Sequence, residues 1–405
     1  MPEPSPIARL VGARSLNSFG RAVINATVLY ELYLRTHSKF VIAGVGLVQV
    51  LPVVLLFVPS GALVDRHDRR ALATAAATLT GVLGLGLAAC SHFALPVWTY
   101  LAILLAQGAV TSVHAPASSS LVPLIIERGE LGRVNRIGAS LQELASITGP
   151  ALAGLALTWV APAYVYAAVA LTGLASGALY RALPRPRVPQ AAASAGASAR
   201  KDWRAGLRFI FRSPLLLPAL TLDMFAVLFA GVTALLPAVA TDVLHVGPFG
   251  YGVLRAAQSA GAVLMAIAGG RLAPWKRPGR VLLVVVALFG LATVGFGLST
   301  SFPLSVALLV ACGALDNVSV VIRLTLEQMV VPDAIRGRVS AVHYVFIGMS
   351  NELGAAESGA AAGLFGTVPA IIGGGAVATI VVLVVAARWR ALAAMPPLSE
   401  LQPAE

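Results

Sequence analysis

Long apolar stretches with few charges follow one another from one end of this chain to the other, and that succession leaves few folds open. A helix crosses the ~30 Å hydrocarbon core of a bilayer in about 20 residues, with every backbone polar group satisfied inside the segment. The stretches fall near residues 9–34, 40–64, 70–91, 96–121, 131–159, 162–183, 215–240, 250–270, 280–299, 303–330, 338–364 and 367–391. With 58% hydrophobic and only 11% charged residues, and a mean hydropathy of +0.85, the chain reads as an all-α, multi-pass membrane protein with twelve spans. The N-terminus, MPEPSPIARL, lacks the basic region, compact apolar core and small-residue cleavage site of a secretory signal, so span 1 is expected to be retained. Cys90 and Cys312 both fall in spans, far from any His or Cys cluster of metal-ligand spacing, and read as small buried apolar residues; no metal or cofactor is expected.

The formal charge of +12 does not indicate nucleic acid, because the basic residues collect between spans. Arg66, Arg69, Arg70, Arg128, Arg133, the cluster from Arg181 to Arg212, Arg271, Lys276, Arg277, Arg280, Arg336, Arg338, Arg388 and Arg390 fall on one side, against Arg35 and Lys39 on the other. By the positive-inside rule both termini are expected to be cytoplasmic, in a cytoplasmic (inner) membrane. One interval breaks the rhythm: PRPRVPQAAASAGASAR, Pro184 to Arg200, has linker composition. Lys201, Arg204, Arg208 and Arg212 then share one face of a short helix suited to an anionic leaflet. The expected organisation is a six-span bundle over 1–183, a linker with its basic helix over 184–212, a second bundle over 213–391 and a tail over 392–405.

The two halves repeat. Gly108, Gly149 and Gly154 recur 205 residues later as Gly313, Gly354 and Gly359, and LGRVNRIGAS faces RGRVSAVHYV with the Gly-Arg-Val triplets in register. Internal repeats about a central linker mark secondary transporters.

Polar residues inside the spans fall in stripes. Span 1 carries Arg14, Asn17, Arg21 and Asn25; span 4 carries Gln107, Thr111, His114 and Ser118; span 10 carries Asp316, Ser319, Arg323 and Glu327, with Asn317 beside them. Each set repeats at three- and four-residue steps and makes one face. Ionisable groups in a membrane usually face a cavity and are functional by default. Asp223 in span 7 has no basic neighbour in sequence, and Arg255 in span 8 is a possible partner in space. A desolvated carboxylate is what a proton carrier needs, so Asp223 is the first candidate for proton coupling and Asp316 the second; a permanent structural ion pair is the competing reading. Asn351, Glu352 and Glu357 in span 11, and Arg136 and Glu143 in span 5, read as gate pairs or as inter-helix contacts. Four arginines among these residues, Arg14, Arg21, Arg255 and Arg323, favour an anionic or zwitterionic solute. No Gly-x-Ser-x-Gly elbow, no His-Glu-x-x-His and no Walker loop occurs, which argues against a membrane enzyme and against direct use of ATP.

The segment GALVDRHDRR, Gly61 to Arg70, ends span 2. Its Gly-x-Leu-x-Asp-Arg-x-x-Arg-Arg pattern resembles the signature loop of the major facilitator superfamily. GALDNVSVVIR, VPDAIRGRVSAV and SNELGAAESG resemble the branch that holds enterobactin and macrolide exporters, and GPALAG, with Gly149, Pro150 and Gly154, resembles the superfamily's antiporter motif in span 5. The resemblance covers nearly the whole chain. It implies twelve transmembrane helices in two pseudo-symmetric halves, spans 1, 4, 7 and 10 lining the substrate cavity, and alternating access. It also implies a cytoplasmic gate at Gly61, Asp65, Arg66, Arg69, Arg70 and Arg338, in which Asp65 faces the start of span 11 and the arginines pair with carboxylates such as Glu127, Glu130 or Asp333. Asp68 departs from the pattern, standing where many members have glycine, and Leu104 stands where the span 4 motif has arginine. The expected activity is proton-coupled export of an amphipathic drug- or siderophore-like molecule by a monomer among membrane lipids, of the kind that underlies multidrug resistance. The alternative is a lipid or lysophospholipid flippase on the same fold.

Overall fold

The computed structural model describes residues 5–127, 129–184, 203–269 and 275–401. Twelve long helical elements appear among them. In the first half they are Pro6–Thr36, Lys39–Arg66, Arg69–His92, Val97–Ile125, Leu131–Trp159 and Pro162–Arg181 (spans 1 to 6). In the second half they are Leu216–Val243 (span 7), then Gly247–Gly269, Pro278–Leu298, Phe302–Val330, Asp333–Phe365 and Thr367–Arg388 (spans 8 to 12). The chain is an all-α, multi-pass membrane protein.

Nine of the twelve contain, among the described residues, a stretch long and apolar enough to cross a membrane by length and composition alone. The other three are spans 1, 5 and 11, which carry Arg14 and Arg21, Arg133 and Arg136, and Glu352 and Glu357 respectively. Their polar residues lower the mean hydropathy without shortening the helix.

Local signals set the boundaries. Ser5 caps span 1 by accepting from the Ala8 N–H, with Pro6 in the first turn, where its missing N–H costs nothing. Asp68 does the same for span 3, its carboxylate accepting from the Arg70 N–H at 2.8 Å. The residue that departs from the family pattern is thus the cap that starts the next span. Trp203–Arg212 forms the short helix expected after the linker; residues 185–202 of that linker lie outside the described residues. Span 7 differs from the continuous helix expected over 215–240. Regular α-helix ends at Ala230, Gly231 adopts φ −75°, ψ 81°, and a 3-10 turn at Val232–Leu235 and a π turn at Val239–Val243 follow.

The chain forms two compact units. One comprises Met1–His37, Gly44–Ala193 and Val246–Ala256; the other comprises Ser38–Ala43, Ser194–His245 and Ala257–Glu405. The opening turns of span 2 therefore belong to the second unit and those of span 8 to the first. Each unit has its own buried core. In the first, Leu10, Val64, Ala77, Leu121 and Val134 meet from spans 1 to 5. In the second, Leu222, Leu282, Ile322, Val339 and Val382 meet from spans 7, 9, 10, 11 and 12.

The glycine repeat has a physical counterpart. A Cβ on Gly108 of span 4 would meet the Gln49 carbonyl and Pro52 of span 2, and one on Gly313 of span 10 would meet the Gln258 carbonyl of span 8. Gly149 lies against Ala22 and Val23 of span 1, and Gly354 against Val227 and Leu228 of span 7. Gly154 sits on Gly252 of span 8, and Gly359 on Ala43 of span 2. Each pair makes the equivalent contact, its partner span shifted by six in order, so the repeated glycines mark corresponding close helix approaches in the two units.

Candidate functional site

The first unit gathers a basic cluster. Asn17 and His114 are buried, with Arg14, Arg21 and Asn25 half-buried on the same span 1 stripe. Arg21 and Arg14 are the charges that act on His114. The imidazole meets the Tyr180 ring edge-on at 5.6 Å, and the Tyr180 hydroxyl and Ser118 Oγ share a 2.7 Å hydrogen bond. Gln107 is buried and Thr111 half-buried on the same face of span 4. Two polar atoms here, Asn17 Nδ2 and His114 Nε2, are buried without a hydrogen-bond partner among the described residues. Two arginines and two buried polar atoms without partners give this cluster a net positive charge and hydrogen-bonding capacity that the described residues leave unused.

The second unit pairs acid with base. Asp223 of span 7 forms an ion pair with Arg323 of span 10, both buried. Arg255, the partner the sequence suggests, belongs to the other unit and has an interaction of its own. Spans 7 and 10 pack against each other, which brings Arg323 to the carboxylate. One turn further along span 10, Glu327 accepts from Ser340 Oγ and pairs with His343 Nδ1, both on span 11. His343 is 3% exposed and its Nε2 has no partner among the described residues. Spacing along span 10 places Glu327 in the stripe, whereas His343 stands in span 11 outside any polar stripe, so no periodicity singles out its imidazole.

Of the other stripe residues in this unit, Asp316, Asn317 and Glu352 are half-buried and Asn351 is exposed; Asp316, Asn351 and Glu352 have partners of their own. Glu357 accepts a long hydrogen bond, 3.4 Å, from its neighbour Ser358. Span 7 is interrupted at Gly231, eight residues beyond Asp223, and Thr233 in the broken turn donates to Gln258 of span 8 at 3.4 Å. Interrupted helices of this kind line binding sites in transporters.

A third polar group was not anticipated. Glu31, 3% exposed near the end of span 1, accepts from Ser91 Oγ at 2.7 Å, Tyr100 at 3.0 Å and Tyr166 at 2.8 Å, and pairs with Arg35 at 2.8 Å. Spans 1, 3, 4 and 6 are joined through one carboxylate. Its partners are scattered between residues 35 and 166, so no local spacing could signal it.

At the span 2 to span 3 turn, the Asp65 side chain lies outside the described residues, and so do the side chains of Glu143, Asp333 and Arg336. Arg66 is exposed, and Arg69 and Arg338 have partners. The Arg70 guanidinium donates to the Tyr180 and Arg181 carbonyls at the C-terminal end of span 6. A cation there meets the negative end of a helix dipole and its unpaired carbonyls. A Cβ at Gly61 would touch nothing within 4 Å, so packing does not demand glycine there. In span 5, Pro150 is buried, and a Cβ at Gly154 would come within 2.6 Å of the Pro248 carbonyl, which explains the small residue.

Known proteins resemble this chain along most of its length. It is 28% identical over 345 residues to the enterobactin exporter EntS of Citrobacter koseri, covering 82% of this chain and 79% of that protein, and equally so to EntS of Shigella boydii. Among solved structures, a bacterial homolog of the human lysosomal transporter Spinster, inward-facing and occupied, matches with a TM-score of 0.72 at 15% identity, over 98% of this chain and 97% of that one. A POT family transporter in complex with a thioalcohol-conjugated peptide matches with a TM-score of 0.74 at 11% identity, over 95% and 96%. The family model for the Major Facilitator Superfamily matches residues 10–355, and the chain belongs to that superfamily.

Proposed function

We propose that this transporter is a proton-coupled exporter of an amphipathic small molecule of siderophore-like or drug-like class, acting as a monomer in the cytoplasmic membrane by alternating access. The observation that carries the substrate class is the span 1 and span 4 cluster, where Arg14 and Arg21 accompany two buried, unpartnered polar atoms, Asn17 Nδ2 and His114 Nε2. An anionic or acceptor-rich solute is complementary to the positive charge of Arg14 and Arg21 and can meet the two unpartnered atoms. The likeness to enterobactin exporters supports export as the direction. The distribution of arginine and lysine supports cytoplasmic termini.

In this reading Asp223 carries the coupling. As a carboxylate it holds Arg323; protonated, it loses the charge that holds the guanidinium, and Arg323 becomes available to an anion or to another carboxylate. Proton and anionic substrate thus compete for the two ends of one ion pair, the reciprocity that antiport needs. Asp316 on the same span is the second candidate. Asp65, Arg66, Arg69, Arg70 and Arg338 serve as the cytoplasmic gate, and Gly149, Pro150 and Gly154 as the small-residue seam of span 5.

Everted vesicles with an acidified lumen test this reading. Adding siderophores, anionic antibiotics, dyes and lysolipids one at a time should release protons for one chemical class, with the release lost in Asp223→Asn. Silence across the panel from inserted, folded protein overturns coupled export. Lipid movement without proton release would establish a flippase instead.

A further inference from the structure

At one end of the second unit, the short helix Trp203–Arg212 meets the start of span 7, the end of span 10 and the start of span 11 around a cavity of about 550 Å³. That size lies within the ordinary range of ligand pockets, about 300–1,000 Å³. Two of its lining residues are Arg208 and Arg212, one turn apart on one face of the helix and without an ion pair or hydrogen bond among the described residues. No lining residue is acidic. The rest of the wall is mostly apolar, with Leu215, Val330, Ile335 and Leu401 from four separate segments. The helix itself places Ile210 in the core at 4% exposed while Phe211 stays 60% exposed, the division expected of an interfacial helix.

We propose that this cavity is a binding site for one anionic phospholipid from the leaflet at this end of the protein. The headgroup phosphate would lie between Arg208 and Arg212, beside the N-terminal end of span 7, where Ser213 Oγ caps the Leu216 N–H at 3.1 Å and the helix dipole is positive. The upper acyl chains would cover Leu215, Val330 and Ile335. Charge complementarity selects the occupant: two guanidinium groups with no carboxylate among the lining residues favour a net-negative headgroup over a zwitterionic one, and an apolar wall gives a free phosphate nothing to hold. The site also has a mechanical consequence. A Cβ on Gly206 would come within 2.8 Å of the Arg338 carbonyl, so the short helix lies flush against the start of span 11. A lipid in the cavity fastens that helix to spans 7, 10 and 11 together.

The test uses the full-length protein in detergent, with native mass spectrometry and thermal unfolding as readouts, after adding phosphatidylglycerol, phosphatidylcholine, or inorganic phosphate alone. Phosphatidylglycerol should give a retained one-lipid adduct and a higher unfolding temperature, and phosphatidylcholine and phosphate should give neither. The adduct and the shift should vanish in Arg208→Gln/Arg212→Gln and persist in Arg388→Gln/Arg390→Gln, which removes the same charge from the end of span 12. If the first double variant does not fold, Ile335→Trp fills the apolar part of the cavity with both arginines intact, and should likewise lose the adduct. Equal effects of the two lipids, a full shift with phosphate alone, or an adduct that survives both Arg208→Gln/Arg212→Gln and Ile335→Trp overturns the proposal.

Discussion

Single residues in this protein divide by whether their polar groups are satisfied. Glu31 has four partners on spans 1, 3, 4 and 6, so its carboxylate has little left to offer a ligand. Truncating it leaves buried hydroxyls and a guanidinium without an acceptor, and breaking a buried pair costs about 3–5 kcal/mol. Glu31→Ala is therefore expected to lower the unfolding temperature sharply, while Glu31→Gln, which keeps an acceptor for the tyrosines, should lower it less; differential scanning fluorimetry distinguishes the two. Asp223 has Arg323 as its ion-pair partner in the same interior, and Arg323 Nε also donates to the Ser319 carbonyl at 3.2 Å; a carboxylate held by one pair exchanges partners more readily than a four-fold one. Asp223→Asn leaves Arg323 buried without its counter-charge, whereas Asp223→Asn/Arg323→Gln removes both charges. If the pair is purely structural, the double variant should recover transport; under the coupling reading it should recover stability in the scan while uphill transport stays lost.

Glycines matter at the scale of elements, through how closely helices approach. A Cβ at Gly354 would come within 2.8 Å of the Val227 carbonyl just before span 7 breaks at Gly231, and Gly374 of span 12 presses on the Phe229 carbonyl from another side. Both contacts are to backbone, which has no rotamer with which to give way. Gly354→Val is expected to cost about 1–3 kcal/mol, the usual range for overpacking, and the equivalent Gly149→Val, against the Ala22 Cβ at 2.8 Å, should cost a similar amount, read as a lower unfolding temperature in the same detergent. Much at this scale was legible in the sequence. Hydrophobic runs set the spans, the charged residues of GALVDRHDRR marked a turn, and the 205-residue offset pointed to glycines that proved to make equivalent contacts. What escaped was non-local. The break in span 7 comes at a glycine in an otherwise apolar run, and no periodicity in Leu216–Val243 distinguishes it from an unbroken span. Asp223 pairs with Arg323, one hundred residues away, because packing between spans decides such pairs and spacing within a span does not.

Over the whole molecule, an internal repeat of backbone carries two different sets of side chains. The same glycines draw corresponding spans together in each unit, yet the first unit holds Arg14, Arg21 and a partner-seeking His114, while the second holds the pairs Asp223–Arg323 and Glu327–His343. Under the proposed function, this duplicated architecture with unlike chemistry would divide the work, the first unit's excess of positive charge recognising an anion and the second unit's matched acids and bases serving the coupling. That division makes a prediction no single residue makes. Neutralising the first unit's charge with Arg14→Gln/Arg21→Gln should raise KM for an anionic substrate by about tenfold or more, the equivalent of losing about 1.4 kcal/mol of binding, with the pH profile of transport unmoved. Changing the second unit with Glu327→Gln or His343→Gln should reshape the pH profile and leave KM near its original value. Initial-rate transport at several pH values, over a range of substrate concentrations, separates the two effects. A KM change from both sets of variants, with one common pH profile, would mean that the units share a single function, and that the unlike side chains serve assembly and not a division between recognition and coupling.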